Sequence, residues 1–236
     1  MNFDGKIAII TGANKGIGRA TTDTIIKNGG TVVAVGRNVN ELGEMQEAYG
    51  EKITVFQCDV SVEEEVNEVV ESTIRKYGKI DILVNNAGIF SVDTAPFVEQ
   101  ESFMWKKKID INIYGTLYMT HAVLPYMIER KEGRIINIGS VAGMYGIRQL
   151  VDYSMTKGAV IAFTAGLARE VGPYNITVNT VSPGNINTRG ELPELSYLDR
   201  SGTCQECANV IAFLASDEAS FVSGANYVVD GCRKKL

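Results

Sequence analysis

Seven short runs of β-branched and apolar residues punctuate the chain: KIAII, TVVAVG, ITVFQC, DILVNN, RIINIGS, ITVNTVS and NYVVDG. Each is nearly continuous rather than alternating, which is how strands covered on both faces of a parallel sheet read. Parallel neighbours need a crossover between them. Helical stretches such as EEEVNEVVESTIRKYG and the long ESFMWKKKIDINIYGTLYMTHAVLPYMIER supply it. The order predicts an α/β fold, a Rossmann-type doubly wound parallel sheet of about seven strands. No linker or internal repeat divides residues 1–236, and that length suits a single domain. Pro125 falls late in the long helical stretch, where it is expected to bend or end the helix. Such sheets bind ligands beyond the carboxyl ends of their strands, so motifs at strand ends carry the most information.

Composition removes several alternatives. With 23 basic against 28 acidic residues and no long run of either sign, nothing favours nucleic acid or an anionic membrane as partner. No segment has the ~20 continuous apolar residues of a membrane span, and the N-terminal KIAIITGA is too short for a signal peptide. A cytoplasmic protein is the expectation. Cys204 and Cys207 form a CxxC, but no second CxxC exists and His121 is the only histidine, so no metal site is expected. The two cysteines read as small residues at the beginning of a helix.

The first strand runs into TGANKGIGRA, where Gly12, Gly16 and Gly18 open a helix. Glycines there permit a tight turn and let backbone N–H groups approach a pyrophosphate. The spacing is GxxxGxG rather than the usual GxGxxG. At the end of the second strand an Asp or Glu would hold the ribose 2′-hydroxyl of NAD. Gly36 stands there instead, followed by Arg37, and Lys15 adds a cation within the glycine loop. A guanidinium forks onto a phosphate, so the pair favours the 2′-phosphate of NADP. Further along, VDYSMTKGAVIAF places Tyr153 and Lys157 one helical turn apart, on the same face. A phenol titrates near ~10, and a neighbouring cation lowers that value, so the two can share acid–base work.

Taken together these segments resemble the short-chain dehydrogenase/reductase family over nearly the whole chain. TGANKGIG is similar to its cofactor loop, and CDV, with Asp59 and Val60, to its adenine-contacting strand end. NNAG, Asn85 to Gly88, is similar to the segment that stabilises the central sheet. Asn112 falls at the family's helix asparagine, and Ser140 lies thirteen residues before Tyr153. SPGNINT resembles the loop touching the nicotinamide. The resemblance implies Asn112, Ser140, Tyr153 and Lys157 as the catalytic set, with Tyr153 the acid, Ser140 bonding the substrate oxygen and Asn112 holding a relay water. It implies cofactor contacts at Gly12, Asn14, Lys15, Gly16, Ile17, Gly18, Arg37, Asp59, Val60, Asn86, Ala87, Gly88, Tyr153, Lys157, Pro183, Gly184, Ile186 and Thr188. Substrate contacts are expected at Ser140, Met144, Tyr145, Tyr153 and Asn185. The implied reaction interconverts a secondary alcohol and a ketone with NADP(H).

The resemblance thins after Thr188. RGELPELSYLDRSGTCQECA is short for the family's lid, placed around 189–203, which leaves water exclusion to Ile89, Phe90, Met144, Tyr145, the substrate or a neighbouring subunit. Helices near Glu101–Arg130 and Tyr153–Gly172 are those the family uses to form dimers or tetramers. For the substrate, a bulky hydroxysteroid or bile acid is weighed slightly above the thioester of a 3-oxoacyl carrier-protein reductase. The reason is that Tyr174 stands where such reductases carry an arginine, leaving Arg130 and Lys131 as part of a cationic entrance. A nucleotide-sensing protein without chemistry is the reading from another class.

Overall fold

The computed structural model describes residues 1–90, 94–188 and 195–234. Seven strands, β1 (Ile7–Thr11), β2 (Thr31–Gly36), β3 (Ile53–Gln57), β4 (Ile82–Asn85), β5 (Gly133–Ile138), β6 (Ile176–Pro183) and β7 (Asn226–Val229), form one sheet in the order β3-β2-β1-β4-β5-β6-β7. Every pairing is parallel. The chain reverses its direction of travel across the sheet between β1 and β4, and that is the switch point.

Alternate residues of each strand serve opposite faces, which is why the runs are continuously apolar. Ile9, Val33 and Val35 join α3 (Glu63–Tyr77), α5 (Gly115–Arg130) and α7 (Val151–Val171) in one core. Ala8, Ile10, Val32 and Ala34 join α1 (Gly16–Lys27), α2 (Val39–Tyr49) and α8 (Cys204–Ala215) in the other. Two shorter helices, α4 (Ser102–Ile109) and α6 (Val141–Tyr145), stand at the carboxyl end of the sheet. Among the described residues no helix is long and apolar enough to cross a membrane.

Pro125 does not end its helix. It lies inside α5, which continues to Arg130. The interruption comes earlier, at Asp110–Tyr114, a π-helical turn joining α4 to α5. Such turns are concentrated at functional sites, and this one contains Asn112. Cys204 is the first residue of α8 and Cys207 is buried under it. Burial pushes the Cys207 thiol up to about 12, which leaves it protonated and inert at neutral pH.

Candidate active site

The glycine turn is shaped by contacts that allow no side chains. Gly12 and Gly16 have φ of +62° and +56°, the left-handed region that disfavours other residues. A methyl group on Gly18 would lie 2.2 Å from the Gly12 carbonyl oxygen. Asn86 at the end of β4 pins the turn, its Nδ2 donating to Thr11 O at 2.9 Å and Gly12 O at 3.0 Å. The Thr11 hydroxyl in turn accepts from the amides of Asn86 and Ala87. Lys15 is the N-cap of α1 and makes no side-chain cap, so the first-turn N–H groups, Ile17 and Gly18 among them, receive no cap from it, and a helix N-terminus of this kind suits an anion. Thr188 closes over this turn: a methyl group on Gly16 would come within 3.8 Å of its Cγ2.

Arg37 is largely exposed and stands 3.7 Å from Asp59. Burial alone would raise the Asp59 carboxyl, but hydrogen bonds from the Ser61 hydroxyl and amide, with Arg37 and Lys107 nearby, hold it below the usual range. Val60, expected beside the cofactor, turns its side chain into the core, so tightly that a methyl group on Gly115 would meet it at 2.6 Å. Glu41 went unremarked in the sequence. It sits in the first turn of α2 behind the Asn38 cap, the pattern of a capping glutamate, yet its carboxylate accepts from Asn14 Nδ2. Asn14 also explains Gly36, where any side chain would crowd its Oδ1 at 2.7 Å.

The proposed catalytic groups converge on α7. Lys157 is buried and donates to Ile138 O at 2.7 Å, two residues before Ser140. Its ammonium lies 5.9 Å from the centroid of the Tyr153 ring. Burial lowers the Lys157 pKa to about 8. A full charge at that separation and an effective dielectric near 20 interacts with about 3 kcal/mol. Ser140 caps α6 and accepts from the Ala142 amide at 3.1 Å, so its O–H is the part that can donate elsewhere. α6 packs close on α7, since a methyl group on Gly143 would fall 2.5 Å from the Lys157 backbone. Gly88 fits where a methyl group would stand 3.2 Å from Asn112 Oδ1 and 3.4 Å from Lys157 Nζ. Phe90 meets Tyr153 edge to face at 5.0 Å.

Two expected residues are also tied into the protein by their side chains. The Asn112 amide accepts from Ile89 N at 2.8 Å and donates to Ile89 O at 3.1 Å and Thr156 Oγ1 at 3.0 Å. Its side chain is therefore a strut between the segment after β4 and α7, and its backbone carbonyl accepts from the Thr116 hydroxyl at 3.0 Å. Asn185 is buried and donates to Ser201 Oγ at 3.0 Å, tying the loop after β6 to residue 202, where Gly202 bridges Ile186. Pro183 ends β6 and Gly184 packs against Asp230. Met144 and Tyr145 are exposed at the end of α6. Residues 189–194 of the expected lid lie outside the described residues.

A glycine turn opening α1 and a Tyr–Lys pair, with Lys157 buried and Tyr153 half-buried, stand at one end of a doubly wound sheet, as in oxidoreductases for alcohols and ketones. The chain belongs to the short-chain dehydrogenase family, whose model matches residues 6–194 under the description "short chain dehydrogenase". It is 39% identical to the 3-oxoacyl-[acyl-carrier-protein] reductase FabG of Thermotoga maritima, with 98% of each chain covered. The enzyme of that name from Escherichia coli K12 is 36% identical at the same coverage. Among solved structures, ElxO with NADP bound superposes with a TM-score of 0.92 at 33% identity, covering 96% of this chain and 97% of that one. Levodione reductase gives 0.92 at 29% identity, with 98% of each chain covered. These relatives lend the leaning toward a hydroxysteroid no support, and their names favour the carrier-protein alternative.

Proposed function

We propose that the chain uses NADP(H) to reduce the ketone of a 3-oxoacyl thioester. The observation that carries this reading is identity of 39% and 36% to two carrier-protein reductases from end to end. The cofactor is supported by the NADP-bound neighbour and by Arg37 at the close of β2. The glycine turn would hold the pyrophosphate, Arg37 and Lys15 the 2′-phosphate, Lys157 the ribose, and the loop Pro183–Thr188 the nicotinamide end. The cofactor supplies the hydride that the carbonyl carbon takes up. Tyr153 gives its proton to the oxygen of that carbonyl, Ser140 donates to the same oxygen, and the charge on Lys157 stabilises the phenolate left behind. Phe90 screens one side of the phenol from water.

The carrier itself finds little to hold at one expected place. Arg130 donates to Asp81 Oδ1 at 2.9 Å, to Glu132 at 3.3 Å and to Ile80 O at 3.3 Å, so its charge is matched. Recognition then rests on the thioester and acyl chain. We further propose a homodimer or homotetramer paired through the apolar groove of Ile113, Leu117, Ala159 and Phe163 on the π turn, α5 and α7, acting in the cytoplasm.

The test follows NADPH absorbance with acetoacetyl-carrier protein, acetoacetyl-coenzyme A and a panel of oxo-steroids. Efficient use of both thioesters supports the reading. Turnover of free ketones alone would replace the substrate, and NADPH binding without turnover of anything would leave a nucleotide sensor. In parallel, NADPH should bind at least tenfold more tightly than NADH, with Arg37→Ala reducing the difference, since one charge-assisted bond contributes roughly 1.5–3 kcal/mol.

A further inference from the structure

Tyr153 is held by both of its backbone groups, and each holder is cross-linked to the helix opposite. Its N–H donates to Asp152 Oδ1 at 2.8 Å, and the other oxygen of Asp152 pairs with Lys108 of α4. Its carbonyl accepts from Thr156 Oγ1 at 2.8 Å, and that hydroxyl accepts from Asn112. Lys108 and Asn112 are four residues apart, as are Asp152 and Thr156, so the two cross-links are successive rungs between the segments α4–π turn and α7. The upper rung is neutral and contains the family asparagine. The lower rung is an ion pair whose side chains are only 4% and 1% exposed.

We propose that Lys108 and Asp152 are a positioning pair for Tyr153, in which Asp152 fixes the N–H of the acid residue and Lys108 cancels the carboxylate charge beside it. A buried pair rarely repays its desolvation in stability alone, so a role for this one is sought in what it touches. Asp152 lies in the first turn of α7, where N–H groups lack helical partners and an acceptor fixes the direction of the chain. An unmatched carboxylate there would disfavour phenolate at Tyr153 and oppose Lys157. The buried charged groups that the described residues bring to this end of α7 are Lys157 and Asp152 on the helix itself and Lys108 from α4, while Arg148 in the segment before α7 is exposed. Asn112, Ser140 and Phe90, from the π turn, the β5–α6 turn and the segment after β4, carry no charge.

The inference rests on Tyr153 being the acid, so one readout is independent of turnover. Tyrosine labelled with carbon-13 at Cζ reports phenol ionisation, and the Tyr153 signal is the one lost in Tyr153→Phe. Lys108→Met should raise the Tyr153 pKa by about one unit and lower kcat about tenfold. Lys108→Met/Asp152→Asn, neutral and still offering an acceptor, should return both close to wild type. Lys108→Met/Asp152→Ala, equally neutral but without that acceptor, should lower kcat about tenfold while the Kd for NADPH stays within about twofold. The two double variants bury no charge, so the comparison survives if the single variant does not fold. Double variants that behave alike, or an Asp152→Asn double no better than Lys108→Met, would overturn the pair. Shifts in the Tyr153 signal with kcat unchanged would uphold the pair and count against Tyr153 as the acid.

Discussion

Lys157 shows how one residue can serve chemistry at the expense of stability. Its pKa falls from 10.5 to about 8 because burial disfavours the ammonium. The unfolded chain then binds the proton more tightly than the folded one, so stability rises with pH between about 8 and 10.5 and is lowest below that window. The change is roughly 3 kcal/mol at 1.36 kcal/mol per unit. Urea unfolding of the apo protein at pH 7 and pH 10, compared with Lys157→Met, should show this gain in the wild type and its loss in the variant. Tyr153→Phe should cost about 10²–10⁴ in turnover with NADPH affinity retained. Cofactor titration beside single-turnover kinetics separates the two effects. The Tyr–Lys spacing was legible because a helix puts i and i+4 together. Asp152 and Lys108 were not, because their contact joins helices 44 residues apart in sequence.

At the scale of elements, the strands were readable because each is buried on both faces and so is apolar throughout. β2 follows its run residue for residue, Thr31 to Gly36. The π turn at Asp110–Tyr114 was invisible, since nothing in DINIY marks a π turn rather than a continuing helix, and its contacts, such as Asn112 to Thr156 of α7, lie far away in sequence. Pro125 does not end α5 for the converse reason: it lacks only one bond in a helix held by Met119, Val123 and Met127 in the core. The glycine turn carries its own prediction. Gly18→Ala forces a methyl group to within 2.2 Å of a carbonyl oxygen, an overpacking that typically costs about 1–3 kcal/mol. It should lower the melting temperature and weaken NADPH binding by more than tenfold, read by calorimetry. Gly43→Ala, where a methyl group meets nothing within 4 Å, is the control and should leave binding unchanged.

For the molecule as a whole, a net charge of −5 and an Arg130 already matched by Asp81 and Glu132 leave little long-range attraction for an acidic carrier. The kcat/KM for a carrier-bound thioester should therefore change by less than about threefold between ~0.05 and ~0.3 M salt, whereas an electrostatically steered pair would lose far more. The seam between β1 and β4 has a consequence of a different kind. It is sealed at one end by Asp81, which accepts from Ile7 N at 2.8 Å, and at the other by Asn86 and Thr11. These partners are 74 and 75 residues apart, while β1–β2 and β2–β3 close over much shorter loops. Closing a long loop must precede any gain from its contacts, and non-local pairing slows folding. Refolding should then join two preformed half-sheets at this line. Asp81→Asn should slow refolding nearly as much as it destabilises, whereas a conservative change in β3, such as Val55→Ala, should act on unfolding instead. Stopped-flow chevrons distinguish the two.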